Sequence, residues 1–304
     1  MVTREEKNKK LQQEMKKEEN KRKRNKIFMR FLFSLLILIL MIIGLYSYMH
    51  FIGTKGLVVR ECKVVNSKLP ESFHGFKIVH FSDLHYLSTV NKNDLKNMVT
   101  TINKLKPDVV VFTGDLTDSE IEVSNNDLND MIELFNKIKV TTGLYAIKGN
   151  HDYSNNNFDL VFSQTDFKVL DNSYDLIYYH DTIPILITGI GSDLQGDMDI
   201  GKAYSYNETD NIFTISLLHE PDYIDDILLT NQVDFALSGH SHNGQVRLPF
   251  IGALQSVEGA KKYKDSYYKI NNTDLYISGG MGTSIFKIRF FNRPSINFYR
   301  LVEK

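Results

Sequence analysis

Three short apolar runs constrain this chain most. FKIVHFS (76–82), DVVVFTG (108–114) and GLYAIKG (143–149) are rich in β-branched and aromatic residues, and each closes on Gly or Ser. Such runs read as strands. Between them, Leu95, Met98, Val99, Ile102 and Leu105 recur at helical spacing, and Leu128, Met131, Ile132, Phe135 and Ile138 repeat it. That period belongs to an amphipathic helix with one buried face. Strand–helix–strand–helix–strand is the pattern of an α/β fold. Further strand candidates follow: PILITGIG (184–191), IFTISLLH (212–219), VDFALSGH (233–240), LYISGG (275–280) and INFYRL (296–301). With no internal repeat or linker in this stretch, residues 55–304 read as one domain.

The N-terminus is of another kind. Residues 1–30 carry 12 Lys/Arg against 5 Glu, and with the whole chain at −1 the remainder balances to −8. The basic block is therefore a tail, and no nucleic-acid footprint is expected on the domain. Directly after it, FLFSLLILILMIIGLYSYM (31–49) runs 19 residues without a charge, close to the roughly 20 a spanning helix needs. The pattern predicts a charged cytoplasmic tail over 1–26, frayed or disordered, and a single-pass anchor helix over 27–52. Positive charge before the span puts the N-terminus inside and the domain outside the cytoplasm. The rival reading is a cleaved signal peptide, whose apolar core is shorter (about 7–15 residues) and ends in a small-x-small site. YSYMHFIGTKG offers no such site, and no adjacent Arg pair marks a twin-arginine signal. The single cysteine, Cys62, rules out an internal disulfide and a cysteine-based metal cluster.

Polar residues stand where the strands end. The first run closes into Asp83 and His85, the second into Asp115 and Asp118, the third into Asn150, His151 and Asp152. A later run closes into His219, and another opens SGHSHNG with His240 and His242. In open α/β sheets ligands bind beyond the carboxyl ends of the strands. Singly, each residue has a bland reading: a strand-end Asp caps a turn, and a lone His is a satisfied core residue. Their recurrence at five strand ends points to bound ions.

In order, D-x-H, G-D-x-x-D, G-N-H-D, a separate His and G-H-x-H resemble the signature of the calcineurin-like metallophosphoesterases, over roughly residues 76–285. GHSHNGQVRLP is similar to the membrane-associated or exported bacterial branch of that family, which favours phosphodiesters. Two departures stand out: Asn243 where that branch has glycine, and DLHYLS without the glycine that often follows D-x-H. The resemblance implies a four-layer α/β/β/α sandwich and two metal ions. It implies that Asp83, His85 and His242 hold one metal, that Asn150, His219 and His240 hold the other, and that Asp115 bridges them. Gly239 and Gly244 would free the backbone of the histidine turn. Oxygen and imidazole donors without thiolate suit Mn, Fe or Zn. Two such cations clamp the oxygens of an in-line displacement, and metal-bound water loses its proton near pH 7, so that hydroxide attacks phosphorus. His151, next to Asn150 but assigned to no metal, is the candidate general acid.

Asp118 and Asp152 are expected either to orient ligand histidines or to cap turns. His80 reads as core, and His50, His74 and His180 as surface or interface residues. Arg247 is a candidate fork for a substrate phosphate or a surface ion pair. AYSYNE (203–208) is a candidate cleft lining or simply loop packing. The functional expectation is a membrane-anchored dinuclear phosphodiesterase acting on a lipid or envelope phosphoester. The alternatives are a phosphomonoesterase or nucleotide hydrolase, and a non-catalytic metal-binding scaffold. The H-x-H-x-D-H pattern of a metallo-β-lactamase-like hydrolase is absent. The partners expected are the bilayer and a phosphoester.

Overall fold

A computed structural model describes residues 3–206 and 212–304. The chain divides into two compact units, Met1–Tyr48 and Met49–Lys304. The first is a single helix, α1 (Arg4–Ser47), opened by a capping box in which Thr3 and Glu6 satisfy each other's backbone. It continues through the charged tail, where fraying or disorder was expected. Residues 4–26 are mostly Lys, Arg, Glu and Gln without Gly or Pro, all good helix formers, and Lys23 meets Glu19 one turn away at 2.7 Å. No residue of α1 is buried. Its apolar stretch makes it long and apolar enough to cross a membrane. Tyr48–Ile52 then form one wider, π-type turn.

The second unit opens with β1 (Val58–Asn66) and β2 (Lys77–Phe81), followed by α2 (Lys92–Leu105), β3 (Val109–Thr113), α3 (Asn125–Phe135) and β4 (Gly143–Ile147). Next come α4 (Asn157–Phe162), β5 (Phe167–Val169), β6 (Ser173–Ile177), β7 (Ile185–Gly189), α5 (Ile200–Ala203), β8 (Thr214–Leu217), α6 (Ile224–Leu228) and β9 (Phe235–Ser238). A small hairpin, β10 (Arg247–Leu248) and β11 (Gly252–Ala253), precedes β12 (Tyr267–Ile270), β13 (Thr273–Ile277) and β14 (Ser295–Glu303). One sheet runs β1-β14-β2-β3-β4-β5 and the other β12-β13-β9-β8-β7-β6. The strands β2 to β5 are parallel, as are β7, β8, β9 and β13.

Strand alternation decides the layering. From β2, Val79 and Phe81 pack with α2, α3 and α4, whereas Ile78 faces a middle core shared with Ile187, Ile215 and Phe235 of the second sheet. The second sheet's outer face, with Ala236 and Ile277, packs on α5 and α6. The result is the α/β/β/α sandwich. His80 lies in the middle core as expected, its Nε2 2.7 Å from Thr113 Oγ1, and burial pushes its pKa down to about 3. The expected strands are present, but β1, β5, β6, β12 and the hairpin had no counterpart in the sequence reading. β1 is a half-exposed edge carrying Arg60, Glu61 and Lys63, so its apolar signal is diluted.

Candidate metal centre

Both sheets bring their carboxyl ends to one place. Asp83 follows β2, Asp115 follows β3, Asn150 follows β4, His219 follows β8, and His240 and His242 follow β9. The backbone there is unusual. Asp83, His85, Asp115, His240 and His242 all have positive φ, between 39° and 64°. Non-glycine residues rarely adopt this region, and such outliers cluster at functional sites.

The side chains converge in two groups, each able to hold a metal ion: Asp83, His85 and His242, and Asp115, His219 and His240. His85 Nε2 and His242 Nε2 are 3.1 Å apart, and His242 Nε2 is 3.4 Å from Asp83 Oδ1. Asp115 Oδ2 lies 3.2 Å from His219 Nε2 and 3.6 Å from His85 Nε2, between the two groups. His219 Nδ1 is tied to Thr113 O at 2.6 Å, and His240 Nε2 to Glu258 O at 2.6 Å. Those bonds leave Nε2 of His219 and Nδ1 of His240 as the unengaged nitrogens, the arrangement that orients a ligand imidazole.

Buried polar atoms almost always find a partner. Here Asp83 Oδ2, Asn150 Oδ1 and His219 Nε2 are buried without a hydrogen bond. With a donor set of oxygen and nitrogen and no sulfur, these residues fit a pair of Mn-, Fe- or Zn-type ions. The electrostatics agree. Burial raises Asp83, while at Asp115 burial is outweighed by His219, which holds the carboxyl well below its usual range. His219 is held well above the usual imidazole value because Asp115 outweighs the cost of burial. Burial, with His219 next to it, pushes His240 down to about 4, and burial with His85 and Arg289 pushes His242 far down.

A second ring of contacts holds this set. Asp118 Oδ1 is 2.6 Å from His85 Nδ1, so it orients an imidazole. Asp152 accepts the backbone N–H groups of Asp115, Leu116 and Gly149, each at 2.8 Å. It thereby fixes the loop that carries Asp115 and touches no histidine of the cluster by any of these bonds. His151 N–H donates to Asp115 Oδ1 at 3.0 Å, and its imidazole lines the adjoining cavity. Two members had no local signal in the sequence. Arg289, fully buried, donates to the carbonyls of Gly280, Gly282 and Asn292 and faces His242 Nδ1 at 3.4 Å. Glu220, next to His219, is buried against the Ser192 hydroxyl. Arg289 lies 47 residues from His242, so only folding joins them.

Other expectations resolve in different ways. Gly244 has φ +72 as its turn requires, but the reason for Gly239 is space, since a Cβ there would collide with Ser82 Oγ and Asp83 Oδ2. One departure from the family pattern, Asn243, falls at a left-handed position, φ 49, where glycine costs least. Arg247 is an ion-pair residue: Nη2 meets Asp265 at 2.7 Å and Nη1 donates to Asn243 O at 2.8 Å. In the aromatic stretch, Tyr204 is buried with its hydroxyl on Ser216, and Tyr206 packs on Tyr174, so these two are loop packing. Asn207 and Glu208 lie outside the described residues.

A cavity of about 780 Å³ opens directly beside Asp115, Asn150, His151, His240 and His242. Its farther walls include Leu194, Val246, Leu254, Val257, Phe286 and Ile288.

An α/β/β/α sandwich with two adjoining His/Asp clusters at its carboxyl edge defines the class: a dinuclear-type hydrolase fold. Residues 76–244 match the calcineurin-like phosphoesterase family, Metallophos. Over 263 residues the chain is 32% identical to an uncharacterized metallophosphoesterase, YkuE, of Bacillus subtilis (strain 168), covering 85% of this chain and 90% of that one. A transmembrane protein with metallophosphoesterase domain from Danio rerio is 30% identical over 254 residues, covering 78% of this chain and 56% of the fish protein. UDP-2,3-diacylglucosamine pyrophosphatase LpxG of Chlamydia muridarum is 27% identical over 292 residues, covering 77% and 86%. The chain belongs to the calcineurin-like phosphoesterase family and is a metal-dependent hydrolase of phosphoesters, a family that uses a dinuclear metal centre.

Proposed function

We propose that this phosphoesterase is a phosphodiesterase of membrane-lipid or envelope phosphoesters, held to the membrane by α1 with its second unit outside the cytoplasm. The observation that carries the substrate class is the cavity. It begins at the ligand side chains and continues between aliphatic and aromatic walls, the environment for an apolar group esterified to the phosphate. A relative named for UDP-2,3-diacylglucosamine fits the same chemistry. The basic residues that precede the apolar stretch of α1 support the orientation.

Asp83, His85 and His242 would hold one ion and Asn150, His219 and His240 the other, with Asp115 between. Such a pair, when bound, activates water and neutralises the charge that builds on the phosphoryl oxygens. Asp115 is kept ionised by the cluster around it, as a bridging carboxylate must be. His151 has its backbone fixed by Asp115 and its ring in the cavity. Its Nε2, the nitrogen remote from Asp118, would give a proton to the departing alkoxide. Leu194, Val246 and Leu254 would form an apolar wall beside the ester.

The test is hydrolysis by the full chain in detergent, comparing bis-p-nitrophenyl phosphate with p-nitrophenyl phosphate after EDTA treatment and Mn addition. Faster metal-dependent turnover of the diester is the expected result. A strong preference for the monoester would make the protein a phosphomonoesterase or nucleotide hydrolase.

A further inference from the structure

The rim of the cavity carries an apolar surface that no described residue of the second unit covers. At the tip of the β10–β11 hairpin, Phe250 and Ile251 are 109% and 71% exposed, and Leu254 follows at 56%. Beside them, Ile285, Phe286 and Phe291 are also exposed. The two segments are stitched together: Arg247 N–H donates to Phe290 O at 2.9 Å, Phe290 N–H to Gln245 O at 3.2 Å, and Gln245 Nε2 to Phe286 O at 2.6 Å. Leu254, Ile285 and Phe286 also line the cavity, so this surface is its mouth. Exposed apolar side chains scattered singly need no explanation, but a contiguous group does.

The same loop is tied to the chain that follows α1. Arg289 N–H donates to Met49 O at 3.0 Å, and His50 Nδ1 lies 2.6 Å from Lys287 O. Met49 comes directly after Tyr48, at the end of the apolar run of the candidate span. A chain reaches at most about 3.6 Å per residue, so residues 287–289 are held within a few residues' length of the end of the apolar run of α1. The exposed cationic residues on the same loop, Lys287 and Arg293, suit anionic headgroups. From this geometry we infer that the hairpin tip and the 284–293 loop dock into the surface of the bilayer that α1 crosses, with the cavity mouth on the lipid. A phosphoester with an apolar tail then enters from the membrane without passing through water. This inference rests on the membrane-span reading proposed above.

The test uses the full chain with Cys62→Ser and one cysteine at position 250, 291 or 104, each labelled with an environment-sensitive fluorophore. The proteins are reconstituted into vesicles of phosphatidylethanolamine and phosphatidylglycerol carrying brominated acyl chains. Lys104 is the control, exposed near the end of α2 that lies at the opposite edge of the sheets. Labels at 250 and 291 are expected to be quenched by the bromines and the label at 104 not. Protein that floats with the vesicles yet shows no quenching at 250 and 291 overturns the docking and leaves the span intact. Protein that does not float overturns both. In addition, F250S/I251S is expected to hydrolyse soluble bis-p-nitrophenyl phosphate as the parent does, but to turn over hexadecyl p-nitrophenyl phosphate in the same vesicles about tenfold more slowly. Equal rates on the vesicle substrate overturn entry from the membrane. Absence of diester turnover by the parent counts against the phosphodiesterase reading while the quenching still reports docking.

Discussion

Asp118 Oδ1 lies 2.6 Å from His85 Nδ1 and fixes the imidazole with Nε2 turned to Asp115 and His242. Asp118→Asn keeps the shape and removes the charge. Partners of this kind typically contribute 10- to 100-fold to metal affinity or activity. The variant is expected to fold normally and to need roughly 10- to 100-fold more Mn for half-maximal activity. An unchanged Mn titration would reduce Asp118 to a turn residue.

Asp115 reaches toward both clusters through a single carboxylate oxygen. Asp115→Asn should therefore empty both positions together. Elemental analysis of the purified variant is expected to find little of either ion, and one ion fully retained would place Asp115 on a single side.

His151→Gln leaves every proposed ligand in place and removes a proton donor from the cavity. Metal content should stay at the parental level. Turnover of diesters with poor, alkyl leaving groups should fall by about a hundredfold or more, with little loss for p-nitrophenyl esters. Equal slowing for both leaving groups would point to a structural part for this residue.

His80 gives a pH dependence that can be read apart from the metal cluster. Its folded pKa is about 3 against an ordinary 6.5, so between those values the unfolded chain binds the extra proton. Stability attributable to neutral His80 is complete above about pH 6.5 and declines as the pH falls through that window, by about 1.4 kcal/mol per unit. Thermal unfolding of His80→Gln, followed from pH 7 to 4, is expected to show a shallower loss than the parent. Parallel curves would remove His80 as a source of the acid sensitivity.

Asn243 combines a left-handed backbone with a buried amide whose oxygen and nitrogen both lack partners. Asn243→Gly removes both costs. Stabilisation of about 1 kcal/mol, seen as a rise of about 2–4 °C in Tm, is expected with metal content unchanged. A lower Tm would show that the amide has a partner when the centre is filled.

The chain's own pattern determined the parts of the fold that bury one clear face. Apolar runs such as 108–114 and the helical period through Leu95 and Ile102 are local signals, because burial there dictates residue type position by position. The proposed ligands were legible for a related reason: each stands just past a strand, and ion chemistry admits few side chains. The 19-residue uncharged run was equally plain. The edge strand β1 was not, since half its residues face solvent and carry charge. Tertiary structure alone decided which groups meet across long separations. Arg289 packs beside His242, Asp118 chooses His85, and Gly239 is small because Ser82 and Asp83 press on it. It alone joined the 284–293 loop to the residues that follow α1, through the Met49–Arg289 and His50–Lys287 contacts. Such contacts are set by how two sheets close on one another, and no local period or propensity encodes that.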